Sequence, residues 1–233
     1  MGRRPAFLAL ALLEMFACLA LGAWQVQRRA WKLDLIARVE SRIHAAPRPI
    51  PGPAQWSRVN ARDDEYLRVR AQGVFLNRRE TLIQAVTERG GGFWVITPLA
   101  TSVGTVLVNR GFVPPERRDP ASRRAGQVED PVVVTGLLRM SEPGGGFLRD
   151  NDPAHGRWYS RDVAQIARAR RVGRVAPFFV DADASANPGG YPVGGLTVVA
   201  FRNSHLIYAL TWFSLAALGA AASVILMRTS RSG

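Results

Sequence analysis

The chain has 233 residues, of which 47% are hydrophobic and 21% are charged, and its formal net charge is +13 at pH 7. This length accommodates one folded domain together with membrane segments, and it excludes two large domains. A positive charge of this size suggests nucleic acid or anionic lipid as partners. The arginines, however, are scattered along the sequence, and they lack the interspersed aromatic residues or the zinc-ligand spacing of a nucleic-acid-binding module. We therefore expect no nucleic-acid binding.

The first apolar segment follows a short basic start that contains Arg3 and Arg4. It runs for about 20 residues, which is the length of helix that crosses a hydrocarbon core. We predict a cytoplasmic N-terminus at residues 1–5 and a transmembrane helix over residues 6–24. A cleaved signal peptide is the alternative, because small residues close the run. Trp24 and the basic residues after it favour a retained membrane anchor.

The second apolar segment begins at His205 and ends in a short basic tail. We predict a transmembrane helix over residues 205–227 and a cytoplasmic C-terminus at residues 228–233. Two spans place both termini on one side of the membrane, and the positive-inside rule assigns that side to the cytoplasm. Residues 25–204 are therefore expected outside the cytoplasm. The basic residues directly after the first span favour the opposite orientation under the same rule. A segment as long as residues 25–204, however, is translocated largely regardless of its charge.

Polar and small residues within the spans predict how the two helices meet. Glu14 lies near the middle of the first span, where an ionised carboxylate is costly. It is either a ligand or proton site, or a carboxylic acid hydrogen-bonded to Ser214 or Thr211 of the second helix, and we favour the hydrogen bond. The second span also carries a stripe of small residues against which we expect the first span to pack: Ala216, Gly219, Ala220 and Ser223.

The region between the spans predicts a mainly-β domain. Helical periodicity continues after Trp24, and a proline-rich linker at residues 47–53 then ends the helix. Short runs rich in β-branched residues follow, separated by turn residues, with a tight turn at Ser102 to Gly104. We expect an α+β domain with a barrel-like antiparallel sheet and one helix. The predicted strands cover residues 65–75, 80–86, 91–100, 104–114, 130–139 and 176–183, and the predicted helix covers residues 160–171.

Five blocks of sequence between and within the spans carry a family resemblance. They read GAWQVQRRAWKLDLI, GGFWVITPL, GTVLVNRGFVP, VVVTGLLRMSEP and YPVGG with NSHLIYALTWFSLA. In this order they resemble the Surfeit-locus-one family of assembly factors for haem–copper cytochrome c oxidase. The resemblance implies two terminal spans around one domain, a bacterial cell-membrane location, and a role in the maturation of oxidase subunit I. It also implies haem a as a cofactor and haem a synthase as a further partner, besides membrane lipid.

His205 is the candidate haem ligand of the chain. Imidazole is a common axial ligand of haem iron, and a histidine at the membrane edge suits a ring with an apolar body and wet propionates. On a helix, Tyr208, Ala209 and Trp212 share its face, which predicts aromatic packing for a flat ring. A histidine, tyrosine and tryptophan at a membrane boundary equally form an ordinary aromatic belt. The resemblance carries His205 over as the ligand of the haem iron.

Arginines at the same interface complete the predicted site. Arg28, Arg29 and Arg202 lie where they can pair with haem propionates. The other two histidines, His44 and His155, lack a second ligand at zinc spacing, so no other metal site is expected.

Nothing in the sequence predicts an enzyme. No serine or cysteine lies in a recognisable nucleophile context, and the lone Cys18 rules out an internal disulfide bond. Acids such as Asp150, Asp152, Asp181 and Asp183 are expected in turns. We therefore expect no catalytic site.

Overall fold

The computed structural model describes residues 3–146, 149–197, 199, 201 and 203–229. One unit of the chain comprises the residues up to Arg38 and those from Val199 onward, and the other comprises Val39–Val198. The elements in chain order are α1 (Arg3–Ile43), β1 (Arg48–Pro49), α2 (Ala61–Asp64), β2 (Arg68–Phe75), β3 (Thr81–Thr87), β4 (Gly90–Thr101), β5 (Gly104–Val113), β6 (Val132–Met140), α3 (Val163–Ala169), β7 (Val175–Ala182) and α4 (His205–Thr229).

Both terminal helices are long and apolar enough to cross a membrane. The candidate spans are Ala6–Ile43 and His205–Arg228, and their most apolar windows have mean hydropathies of 2.2 and 1.9. Few residues of these windows are buried within the protein, unlike the core helix of a soluble domain. Both predicted spans therefore form helices. The first helix continues without a break beyond residue 24, as the periodicity after Trp24 indicated.

The first unit is an antiparallel pair of helices formed by α1 and α4. Gln25 lies against His205, and Gly219 lies against Met15, so that residue numbers rise on one helix as they fall on the other. On α4 the buried residues are small and recur at spacings of seven, three and four, which allows the backbones to approach closely. This confirms the predicted stripe, of which Ala216, Gly219 and Ser223 are buried.

The second unit is built around a closed five-stranded barrel, which confirms the predicted fold class. The ring runs β2-β6-β7-β5-β4 and closes where β4 pairs with β2, while β3 extends from β4 and β1 from β2. The predicted pairing was wrong in one respect, since β5 and β7 are parallel, with Thr105 opposite Val175. A closed ring of five strands cannot alternate direction throughout, so one neighbouring pair must be parallel.

Two apolar clusters hold the barrel together. One fills its interior and includes Val69, Leu99 and Phe178, and the other lies beneath α3 and includes Trp158 and Ile166.

Helix α3 is shorter than the residues 160–171 predicted from the sequence. Asp162 caps it, accepting a hydrogen bond from the backbone N–H of Gln165 at 2.9 Å, so the helix begins at Val163. The proline-rich linker is attached to the sheet, because β1 lies within it and pairs in parallel with β2, with Arg48 opposite Val69.

Candidate functional site

His205 is the first residue of α4 and lies at the level of Gln25 on α1. Its Nδ1 atom is 2.8 Å from the Oε1 atom of Gln25, which is a hydrogen-bonding distance. The imidazole is partly buried, and Gln25 is 9% exposed. The predicted ligand is therefore fixed to the partner helix of the same unit.

This hydrogen bond determines which nitrogen of His205 is available to a ligand. With the Gln25 amide oxygen towards the ring, the Nδ1 atom carries the proton and donates to it, because an amide oxygen only accepts hydrogen bonds. In a neutral imidazole the Nε2 atom then carries the lone pair. A histidine that binds a metal usually donates its other N–H in the same way. The residues present therefore fit a haem whose iron accepts an imidazole nitrogen.

The residues of the predicted aromatic face of α4 differ in exposure, because part of that face packs against α1. Tyr208 is 56% exposed and Trp212 is half-buried, but Ala209 is only 2% exposed and lies in the interior of the pair. Ala209 therefore offers no surface to a flat ring. Each residue of an α-helix is rotated about the helix axis relative to the one before it. Counted from the contact between Gln25 and His205, this rotation places Trp24 of α1 and Tyr208 of α4 on the same side of the helix pair, here called one flank. Trp24 is 53% exposed, so the structure places a second large aromatic side chain on that flank.

The basic residues near His205 have different roles. The Arg28 guanidinium lies 4.3 Å from the ring centroid of Trp31 and makes no ion pair within the described part of the chain. It lies on the same flank as Trp24 by helical rotation, where it is exposed. Arg29 is half-buried. The third predicted arginine, Arg202, lies outside the described residues.

Glu14 is not part of this site. Its Oε1 atom lies 3.5 Å from the Cys18 sulfur, and its Oε2 atom faces Gly219. The predicted hydrogen bond to Ser214 or Thr211 was wrong, because the helix register sets Glu14 opposite Gly219. The Thr211 hydroxyl instead donates to the carbonyl oxygen of Ile207 at 2.9 Å. At helical rise, Glu14 lies about 16 Å along α1 from Gln25.

The barrel contains a buried ionic network that the sequence did not reveal. Asp181 was expected in a turn, although the strand predicted over residues 176–183 contains it. It lies within β7 and is almost fully buried. Its carboxylate accepts hydrogen bonds from Asn109 at 2.8 Å, Arg139 at 3.1 Å and Arg161 at 3.2 Å. Burial lowers the pKa of the Arg161 guanidinium, but the carboxylates of Glu142 and Asp181 raise that pKa above its ordinary value. The network stabilises the junction of three strands.

Arg110 of β5 is a second buried cation, and its hydrogen bonds connect two loops to the barrel. Its Nη2 atom donates to the backbone oxygen of Gly126 and to Asn187, and its guanidinium lies 4.4 Å from the centroid of the Phe75 ring. Burial lowers the pKa of Arg110 to about 10, although the charge of Glu80 raises it. These contacts give Arg110 a structural role. Within the described residues, no group of three side chains of the types that bind metals is found.

Comparison with known proteins places this chain among close relatives. The sequence model of the SURF1 family matches residues 12–217. Human Surfeit locus protein 1 is 38% identical over 224 residues, which cover 88% of this chain and 72% of the human protein. The rat protein of the same name is 39% identical over 84% of this chain and 68% of its own length. A SURF1-like protein of Monosiga brevicollis is 38% identical over 91% of this chain and 85% of its own length.

Proposed function

This chain belongs to the SURF1 family, a family of cytochrome c oxidase assembly factors, and from this premise we propose that it binds haem a and assists its insertion into subunit I, or stabilises that subunit. Subunit I and haem a synthase are its proposed protein partners. The protein acts from the cell membrane of a bacterium, with both termini in the cytoplasm and the barrel outside. It has no catalytic role in this proposal.

The observation that carries the haem proposal is the hydrogen bond between His205 and Gln25. With Nδ1 donating to the Gln25 amide oxygen, the Nε2 atom is the nitrogen that would bind the iron. Haem a, if bound there, would supply an iron that accepts this nitrogen, and His205 would hold it. Tyr208, Trp212 and Trp24 would offer aromatic surface to the ring, and Arg28 would pair with a propionate. Arg202, which lies outside the described residues, stays a predicted partner of the propionates.

The same hydrogen bond favours an alternative function as a scaffold. Gln25 is buried in the helix pair, and a buried amide without a partner costs about 1–3 kcal/mol. His205 satisfies this amide, which is sufficient reason for a histidine at this position. In the alternative, the spans and the barrel stabilise an oxidase assembly intermediate without binding haem.

Purification of the full chain from cells that make haem a distinguishes the two functions. We expect the wild-type protein to carry the visible absorbance of haem a, and His205→Ala to lose it while keeping its circular dichroism and its elution volume. His155→Ala is the matched control, because His155 is an exposed histidine of the barrel unit. If His205→Ala retains the wild-type absorbance, the haem-ligand proposal fails.

A further inference from the structure

We propose that Gln25 is a positioning residue that holds His205 in the tautomer with the proton on Nδ1, so that Nε2 is presented as the ligand atom. The role of this tautomer in haem binding rests on the proposed function. The tautomer itself does not, because it follows from the hydrogen bond within the helix pair and is a property of the protein without haem.

The position of Gln25 in α1 shows why it meets His205. Cys18, Gly22 and Gln25 are the buried residues of this part of α1, at spacings of four and three. Such spacings place all three on one face of a helix, and that face packs against α4. Gln25 is thus a polar residue within an otherwise small or apolar seam. A polar group in such a seam requires a hydrogen-bonding partner.

The orientation of the Gln25 amide and the tautomer of His205 are coupled. With the amide oxygen towards Nδ1, that nitrogen is protonated and Nε2 carries the lone pair. With the amide reversed, its NH₂ group would donate to Nδ1, and the proton would lie on Nε2. Only the first arrangement leaves Nε2 able to bind a metal. The side chain of Gln25 therefore determines whether the imidazole can act as a ligand through this atom.

An amide oxygen is a weaker acceptor than a carboxylate, and this distinguishes Gln25 from a glutamate at the same position. A carboxylate would draw the Nδ1 proton more strongly and make Nε2 a stronger donor to a metal. Replacement of Gln25 by glutamate retains an acceptor, whereas replacement by leucine removes it. The two variants should therefore change the imidazole in different ways.

Nitrogen NMR of the full chain in detergent, without haem, tests the tautomer directly. The chain has three histidines, so ¹⁵N-histidine labelling gives few signals, and His205→Ala assigns those of His205. We expect a protonated Nδ1 and an unprotonated Nε2 in the wild type at a pH where the ring is neutral. Gln25→Leu should lower the population of this tautomer. Gln27→Leu is the matched control, since Gln27 is exposed two residues away.

Two NMR results would overturn the inference. One is a His205 ring protonated on Nε2 in the wild type, and the other is a His205 signal that Gln25→Leu leaves unchanged. Thiol labelling of the lone Cys18, which is buried in the helix pair, checks that Gln25→Leu keeps the pair closed. If the pair opens, Gln25→Glu replaces it as the test variant and must keep Nδ1 protonated, because it keeps the acceptor.

Haem titration extends the test to the ligand. We expect Gln25→Leu to weaken haem a binding about 10-fold or more, as loss of such an outer partner does for metal sites. Gln25→Glu should restore binding and lower the reduction potential of the iron. If binding does not depend on His205, the proposed function fails while the NMR result stands. If binding depends on His205 but Gln25→Leu binds haem a as the wild type does, the positioning role of Gln25 fails.

Discussion

Gly22 of α1 lies directly against the aromatic ring of Phe213 on α4. A Cβ atom on Gly22 would lie 2.6 Å from the nearest ring carbon, which is closer than such atoms approach. Gly219 has a similar position on the other helix, where a Cβ atom would lie 3.2 Å from that of Met15. The absence of these side chains allows α1 and α4 to pack closely enough for Gln25 to reach His205.

Gly22→Val should therefore loosen the helix pair. The added methyl groups overpack the contact with Phe213, at a cost of about 1–3 kcal/mol. The lone Cys18, now 5% exposed, should react faster with a membrane-permeant maleimide in detergent. Ala23→Val is the control, because Ala23 is exposed on the adjacent position of the same helix. Equal labelling of Cys18 in the two variants would show that the close contact does not hold the pair.

Asp181→Asn should destabilise the barrel. The substitution removes the negative charge that faces Arg139 and Arg161, while Glu142 still pairs with both arginines, so we expect a cost of about 1–3 kcal/mol. Urea unfolding of the full chain in detergent, followed by circular dichroism, measures the change in the free energy of unfolding. Asp150→Asn is the matched control, since Asp150 is exposed. Similar stability of the two variants would contradict the structural role of the network.

The turn at Asp152 should open in acid. Arg157 donates to this carboxylate at 2.7 Å and lowers its pKa below the ordinary value of 3.8, and His155 lowers it further, although burial opposes the shift. Because the folded-state pKa is the lower one, the stabilisation is present above pH 3.8 and is lost as the pH falls through the pKa of the folded state.

Hydrogen exchange of the amides of Asp152 and Arg157, which bond to each other's carbonyl oxygens, measures this opening. At neutral pH these amides should exchange faster in Asp152→Asn than in the wild type. The difference should vanish once the pH lies below the pKa of Asp152. A difference that persists unchanged in acid would assign the protection to backbone geometry alone.

Local patterns in the sequence predicted most of the fold. The five strands of the barrel, the hairpin at Ser102 to Gly104, helix α3 and both apolar helices depend on residues close together in the chain. The parallel pair β5 and β7 was not predictable in this way, because it follows from the number of strands that close the ring. The sequence pattern of strand β3 does not differ from those of the barrel strands, so its position outside the ring could not be predicted from it.

The site was predicted less completely than the fold. His205 was identified from its position at the start of an apolar run, but its partner Gln25 lies 180 residues away in the sequence. One local signal could have found it, since Gln25 follows Cys18 and Gly22 at helical spacing. The register of the two helices likewise decided the neighbour of Glu14. The buried role of Asp181 was not predicted because the residue stands beside turn residues, although the strand predicted over residues 176–183 contains it.

Chemical rescue of the ligand tests the central claim most directly. Full-length His205→Gly, titrated with haem a in detergent, should lack the wild-type absorbance, because no imidazole reaches the iron. Added imidazole should then restore that absorbance, since a free imidazole can occupy the space left by the side chain. A glycine variant that shows the wild-type haem a spectrum without imidazole would contradict the assignment of His205 as the ligand.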